Sequence, residues 1–162
     1  LGEARYKLTG GYIIGQVPYL LLENHIGNES SFYTNGAFNT MNYFEFVSDE
    51  YASMRYEHHF QGLVMNKIPL IRALKWRLIG SANVLYGSLR QENINIISPI
   101  DPDGQPTAPF GHLDKGMPYI ELGYGIENIF KVLRIDAFHR LTYRDKPDAN
   151  KFALKMSFQF NL

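Results

Sequence analysis

Apolar and polar residues alternate with period two over five long stretches between Ala52 and Asn161, a pattern that extended strands satisfy and helices do not. Between Ala52 and Phe60 one face reads Ala52, Met54, Tyr56, His58, Phe60, and the other Ser53, Arg55, Glu57, His59, Gln61. From Lys75 to Tyr86 the residues Trp76, Leu78, Gly80, Ala82, Val84 and Tyr86 oppose Lys75, Arg77, Ile79, Ser81, Asn83 and Leu85. Two further stretches set Ile120, Leu122, Tyr124 and Ile126 against Glu121 and Glu127, then Leu133, Ile135, Ala137 and Leu141 against Arg134, Asp136, Phe138 and Arg140. In the last, Phe152, Leu154, Met156, Phe158 and Phe160 point away from Ala153, Lys155, Ser157, Gln159 and Asn161.

Before Ala52 the alternation is weaker. β-branched and aromatic content there predicts three more strands, Arg5–Tyr12, Pro18–His25 and Ala37–Phe46, about eight in all. Ser88–Gly116 is a long connection rich in Pro, Asp and Gly, Glu127–Lys131 is little more than a turn, and Gly10-Gly11 with Gly15 reads as a turn or bulge. No repeat and no linker divides the chain, so residues 1–162 read as a single domain. The opening Leu1-Gly2-Glu3 suggests a fragment of a longer chain.

The same alternation suits a soluble barrel with an apolar interior, so it does not by itself choose the medium. Three features favour a membrane. The strands reach the roughly 9 to 11 residues that a tilted transmembrane strand needs. Aromatic residues gather near strand ends, at Tyr51, Trp76, Tyr86, Tyr119, Tyr143, Phe152 and Phe160, as in interfacial girdles. Charges fall only on the polar faces, whereas Arg or Lys on a lipid face costs roughly 2–4 kcal/mol at the midplane. The expected fold is therefore an all-β antiparallel transmembrane barrel, of which these are the C-terminal strands, half of a larger barrel.

Composition narrows the function classes. With 16 basic and 16 acidic side chains and no net charge, no basic field draws nucleic acid. No cysteine is present, so thiol catalysis and thiol metal sites are excluded. The longest apolar runs, Leu20–Leu22 and Ile68–Ile71, are far too short for a membrane-spanning helix.

Tyr56-Glu57-His58-His59-Phe60 with Ile68-Pro69-Leu70, then Ser81 through Gly87, then Gly123 through Ile126, Leu133 through Phe138 and Phe158-Gln159-Phe160, resemble the closing strands of the outer-membrane insertase superfamily of BAM-complex and surface-antigen type. Phe152, Leu154, Met156, Phe158 and Phe160 would then form the terminal β-signal strand. Phe38 through Asp49, His58 through Gly62 and Asn66 through Leu70 look like an uncharacterised outer-membrane family that joins an N-terminal carboxypeptidase-regulatory-like domain to such a barrel. The resemblance implies a regulatory fold upstream and no peptidase activity. One departure stands out. Insertase barrels are similar in carrying a long lumen-directed loop before the Tyr56–Phe60 strand, with an Arg-Gly-aromatic motif, and here only Val47–Tyr51 occupies that place, which weakens insertion of client barrels as an expectation.

The remaining motifs read as structure. His58 and His59 are adjacent on a strand and point to opposite faces, so they do not share a metal ion, and His25 and His139 lack partners at a telling spacing. Asp101-Pro102-Asp103-Gly104 is turn chemistry without the downstream Glu of a calcium loop. Ser53, Ser81, His58, His59 and Asp136 lack a nucleophile motif. Arg55, Glu57, Arg77, Glu121, Arg134, Asp136 and Arg140 are expected to face the lumen as a salt-bridged lining or a selectivity ring. No catalytic, cofactor or metal residue is expected.

The expected function is a non-enzymatic barrel of the bacterial outer membrane, insertase-like, serving envelope biogenesis or anchoring a larger assembly, with membrane lipid and other envelope proteins as partners. A transport pore and a lipid-modifying enzyme are the alternatives. Strand directions that leave the C-terminus in the periplasm put Arg144–Lys151, Ser88–Gly116 and Val47–Tyr51 outside, and Gly62–Leu74 and Glu127–Lys131 inside. An epitope inserted at Gly104 should be labelled by antibody on intact cells; labelling only after permeabilisation inverts this topology.

Overall fold

The computed structural model describes residues 2–97, 104 and 111–159. In chain order the elements are β1 (Glu3–Tyr12), β2 (Glu23–Asn24), β3 (Val47–Ser48), β4 (Glu50–His59), α1 (Pro69–Leu74), β5 (Arg77–Ser88), α2 (Gln91–Ile97), β6 (Tyr119–Ile129), β7 (Leu133–Arg140) and β8 (Phe152–Phe158). Six of the strands form one antiparallel sheet in the order β1-β4-β5-β6-β7-β8, and β2 pairs with β3 alone. The protein is all-β with two short helices. Among the described residues the sheet stays open, β1 and β8 being its edges, and no helix is long and apolar enough to cross a membrane.

The five later strands coincide with the alternating segments, because period two places every second side chain on one face. Of the expected strands one is reduced to two residues and one is absent. Within Pro18–His25, Pro18 caps a 3-10 turn at Tyr19–Leu21 and only Glu23–Asn24 is extended. Within Ala37–Phe46 there is no strand: the amides of Asn39 and Thr40 bond to a carboxylate of the sheet instead of a neighbouring strand, and Phe44 is left-handed at φ 57°. Six long strands therefore replace the expected eight.

Three smaller expectations also change. Lys75 and Trp76 precede β5, because Lys75 adopts a left-handed φ of 55° to end α1. Gly10 and Gly11 continue β1 and form no turn; the ring of Tyr51 lies 2.6 Å from where a Cβ on Gly11 would stand, so only glycine fits beneath it. The connection after Ser88 opens with α2, while the Asp101–Gln105 turn, Gly104 apart, lies outside the described residues, as does Phe160.

The connection between β1 and β4, residues 13–49, is the long element of the fold. It folds across one face of the sheet, with Phe38, Met41 and Phe46 meeting Leu85, Leu113, Tyr119 and Tyr143 in the main apolar cluster. It also takes the outer edge of β8: the Tyr33 amide donates to the Met156 carbonyl at 2.8 Å and the Met156 amide to the Ser31 carbonyl at 2.9 Å. The expected short segment Val47–Tyr51 is thus only the end of a long, inward-folded loop.

At the opposite end β6 turns into β7 through Phe130 and Lys131, both left-handed, at φ 50° and 69°. Such a two-residue turn matches the twist of the strands and normally uses Asn and Gly. Lys131→Gly should stabilise the protein by about 1 kcal/mol by removing the cost of a side chain in that region, read as a higher midpoint of heat-induced unfolding in detergent; an unchanged or lower midpoint refutes the strain.

Candidate functional site

The two faces of the sheet have opposite chemistry. One face is bare. Across it run the registered rows Tyr6, Tyr56, Ala82, Leu122, His139, Phe152 and Ala4, His58, Gly80, Tyr124, Ala137, Leu154, with Leu8, Met54, Val84 and Ile120 beside them. Leu8 is 67 % exposed, Tyr124 57 % and Leu154 57 %. Apart from Glu50 at one end, the strands place no Asp, Glu, Lys or Arg on this face. A six-stranded sheet some 24 Å wide and 27 Å long presents about 650 Å², above the few hundred Å² usual for a single apolar patch on a soluble monomer.

The other face is covered and charged. Glu121, Asp136, Arg134, Arg140 and Lys155 are all buried there, with His59 and Glu127. Arg134 grips Asp136 through two bonds of 2.7 and 2.9 Å and reaches Glu57 at 2.6 Å. Glu57 bonds onward to His59 at 2.7 Å, whose other ring nitrogen meets Glu127 at 3.2 Å. Such a chain satisfies charges that could not otherwise leave water.

Loop 13–49 completes the satisfaction from above. Glu121 accepts the Asn39 and Thr40 amides, each at 2.8 Å, together with the Thr40 hydroxyl and the Asn83 amide. Arg140 holds Glu45 at both guanidinium ends, 2.6 and 3.0 Å. The Lys155 ammonium donates to the carbonyls of Asn28 and Ser30. Tyr33 lies under the Arg134 guanidinium, 4.5 Å from the ring centre, and its hydroxyl donates to Glu57. Burial, and next the charge of Glu57, push that phenol up to about 12, so it remains a donor through the neutral range.

Of the seven charged residues read from the sequence, Glu57, Arg134 and Asp136 join one network, Glu121 and Arg140 anchor the loop, and Arg55 stacks on Phe38 at 4.6 Å. Arg77 stands apart, beside Gln61, Asn66 and Arg72 near the α1 end of the sheet. His59, Glu127 and Lys155 belong to the face as well and share its alternation, a signal sufficient to find them. Glu45 and Asn28 sit in an irregular loop and carry no such signal. The aromatic girdle needs correction: Tyr119 and Tyr143 are buried in the apolar cluster, Tyr119 because it is in phase with Glu121, and Tyr51 packs against the same cluster. Phe152, Leu154, Met156 and Phe158 of β8 lie on the bare face.

No chemistry of the nucleophile or metal type assembles among the described residues. Ser53 bonds to Thr9 at 2.5 Å, His58 lies on the bare face between Tyr56 and Phe60, and no three His, Asp or Glu side chains are placed to hold a metal ion.

One group makes the loop's docking depend on pH. His25 is buried, bonded to Ser48 at 2.9 Å and edge-on to Tyr51. Burial first, then the charge of Arg55, lower its pKa to about 4. The docked loop therefore keeps His25 neutral, and its stability is full above the ordinary value near 6.5 and falls as pH drops toward 4. Opening of the 25–48 segment, followed by hydrogen exchange, should become easier by about 2 kcal/mol from pH 7 to pH 5; His25→Gln should flatten that slope, and equal slopes in both proteins would contradict it.

No curated protein and no solved structure matches the chain. Residues 2–93 match the C-terminal domain of the family of unknown function DUF5686. The match takes in β1, the whole covering loop, β4 and β5, including the stretches 38–49, 58–62 and 66–70. The chain therefore belongs to the DUF5686 family, as its C-terminal domain.

Proposed function

We propose that this domain is a wall of an outer-membrane β-barrel, with the bare face against lipid and the charged face turned to a lumen that loop 13–49 plugs. The observation that carries the reading is the inversion of polarity: a water-soluble sheet buries its apolar side chains and hydrates its charges, and here the charges are buried and the apolar rows bare. On this reading β1 is an edge that further strands of the same protein extend, and closure at β8 requires loop residues 31–33 to release the Met156 edge that they hold here.

The work of such a barrel is non-enzymatic: anchoring a larger envelope assembly or taking part in envelope biogenesis in the manner of the insertase superfamily. The long inward loop before β4 supports that likeness in architecture, although segment 13–49 contains no Arg and hence no Arg-Gly-aromatic motif. An open transport pore is the weaker reading, because the loop lies over the charges that would line it.

A charge scan separates lipid from water as the medium of the bare face. Leu122→Lys should cost roughly 2–4 kcal/mol in the membrane and sharply reduce the heat-modifiable protein recovered in outer membranes. Thr9→Lys, on the opposite face of β1, should leave assembly near normal. If Leu122→Lys assembles as well as the unaltered protein, the bare face does not meet lipid.

A further inference from the structure

On the charged face a cavity of about 390 Å³ opens between β1, β4, β5, β8 and loop residues 33–37. Three buried atoms on residues lining it have no hydrogen-bond partner among the described residues: Arg55 Nε, Ser81 Oγ and Ser157 Oγ. Buried polar groups are rarely left unmatched, and three at one cavity point to a ligand that meets them.

The charge around the cavity is unbalanced in one direction. Arg5, Lys7, Arg55 and Arg134 line it with Glu57, which is already bonded to Arg134, His59 and Tyr33; Arg5 is paired besides with Glu3 and Arg134 with Asp136, which leaves Lys7 and Arg55 as the cations to be matched. Lys7 and Arg55 stand directly opposite each other on β1 and β4, a like-charge pairing that destabilises a sheet unless an anion sits between them. Among the described residues Arg55 makes no ion pair; Glu121 acts on it only through space, being held by Asn39, Thr40 and Asn83.

We propose that this cavity binds a phosphorylated sugar, its phosphate between Arg55 and Lys7 and its hydroxyl-bearing body extending toward Ser157. The elongation follows from register. Ser81 lies on β5 and Ser157 on β8, three strands across the sheet and four residues beyond Ala153, the β8 residue in register with Ser81, so one phosphate does not reach both hydroxyls. The volume falls in the range of small-molecule sites of about 300–1,000 Å³. Phosphate suits the cationic end because guanidinium, ammonium and hydroxyl donors approach from separate strands, which a tetrahedral oxyanion accommodates. A free phosphosugar and the headgroup of a glycolipid share this chemistry. The site is independent of whether lipid or water meets the bare face.

Isothermal titration of the full-length protein in uncharged detergent tests it, with glucose 1-phosphate, glucose and inorganic phosphate as probes and a monophosphorylated lipid A in nanodiscs as the lipid arm. Glucose 1-phosphate should bind at least about ten-fold more tightly than either half alone, and Arg55→Gln should weaken it about ten-fold. Lys7→Gln lies on an exposed edge strand and should weaken it by several-fold without disturbing the fold, whereas Arg72→Gln on α1 should have no effect. Ser157→Ala should weaken glucose 1-phosphate and leave inorganic phosphate unchanged. Binding of the lipid arm alone, lost in Lys7→Gln, assigns the site to a headgroup; binding of the free sugar alone assigns it to a soluble ligand. Absence of binding by both, or equal binding by the unaltered protein and Lys7→Gln, overturns the proposal.

Discussion

Burial of charge on one face of the sheet is the constraint from which the rest of the structure follows. Glu121 is 0 % exposed and Arg140 1 %, and neither could be there without partners, since an unpaired buried ion costs several kcal/mol. The partners come from loop 13–49 as much as from neighbouring strands. Two backbone amides, one hydroxyl and the Glu45 carboxylate reach down from the loop, and two of its carbonyls receive Lys155. The loop is irregular for the same reason: its hydrogen-bonding groups are spent on side chains of the sheet and are not available for a ladder of its own.

Apolar packing is correspondingly local. Phe38, Met41 and Phe46 of the loop meet Leu85, Leu113, Tyr119 and Tyr143 toward one end of the covered face, and the cations Arg140 and Lys146 lie over the aromatic rings there. The rest of that face is held mainly by ion pairs and hydrogen bonds, with Ile79 and Phe138 among its buried apolar side chains. Apart from buried residues such as Ile79, Leu85, Tyr119 and Phe138, the large apolar residues of the strands face outward, so the usual division of labour between core and surface is largely reversed, and the sheet's stability depends on what medium meets its bare side.

Much of this was legible in the alternation. Arg55, Glu57, Glu121, Arg134, Asp136 and Arg140 share one phase of the alternation on β4, β6 and β7, and all lie on the covered side. The same parity contains Tyr119, whose burial was readable from its phase with Glu121, and Lys155, which follows from its phase with Ser157. The N-terminal third was not legible. Residues 18–25 and 37–46 have the composition of strands, yet composition does not say whether a backbone amide will find a parallel neighbour or a carboxylate such as Glu121.

By itself the sequence determined the identity and phase of the regular strands, because a period of two admits one assignment of side chains to faces and a slip of one residue would exchange buried charges for exposed leucines. The alternation itself left open which face is inside, since the same string describes a soluble and a membrane barrel, and strand length, aromatic placement and the phase of the charges were what favoured a charged interior. Tertiary structure alone decided that the charged face is covered and the apolar face bare, and that an irregular loop does the covering. Those outcomes rest on contacts between residues far apart in the chain, such as Thr40 with Glu121, which no local periodicity encodes.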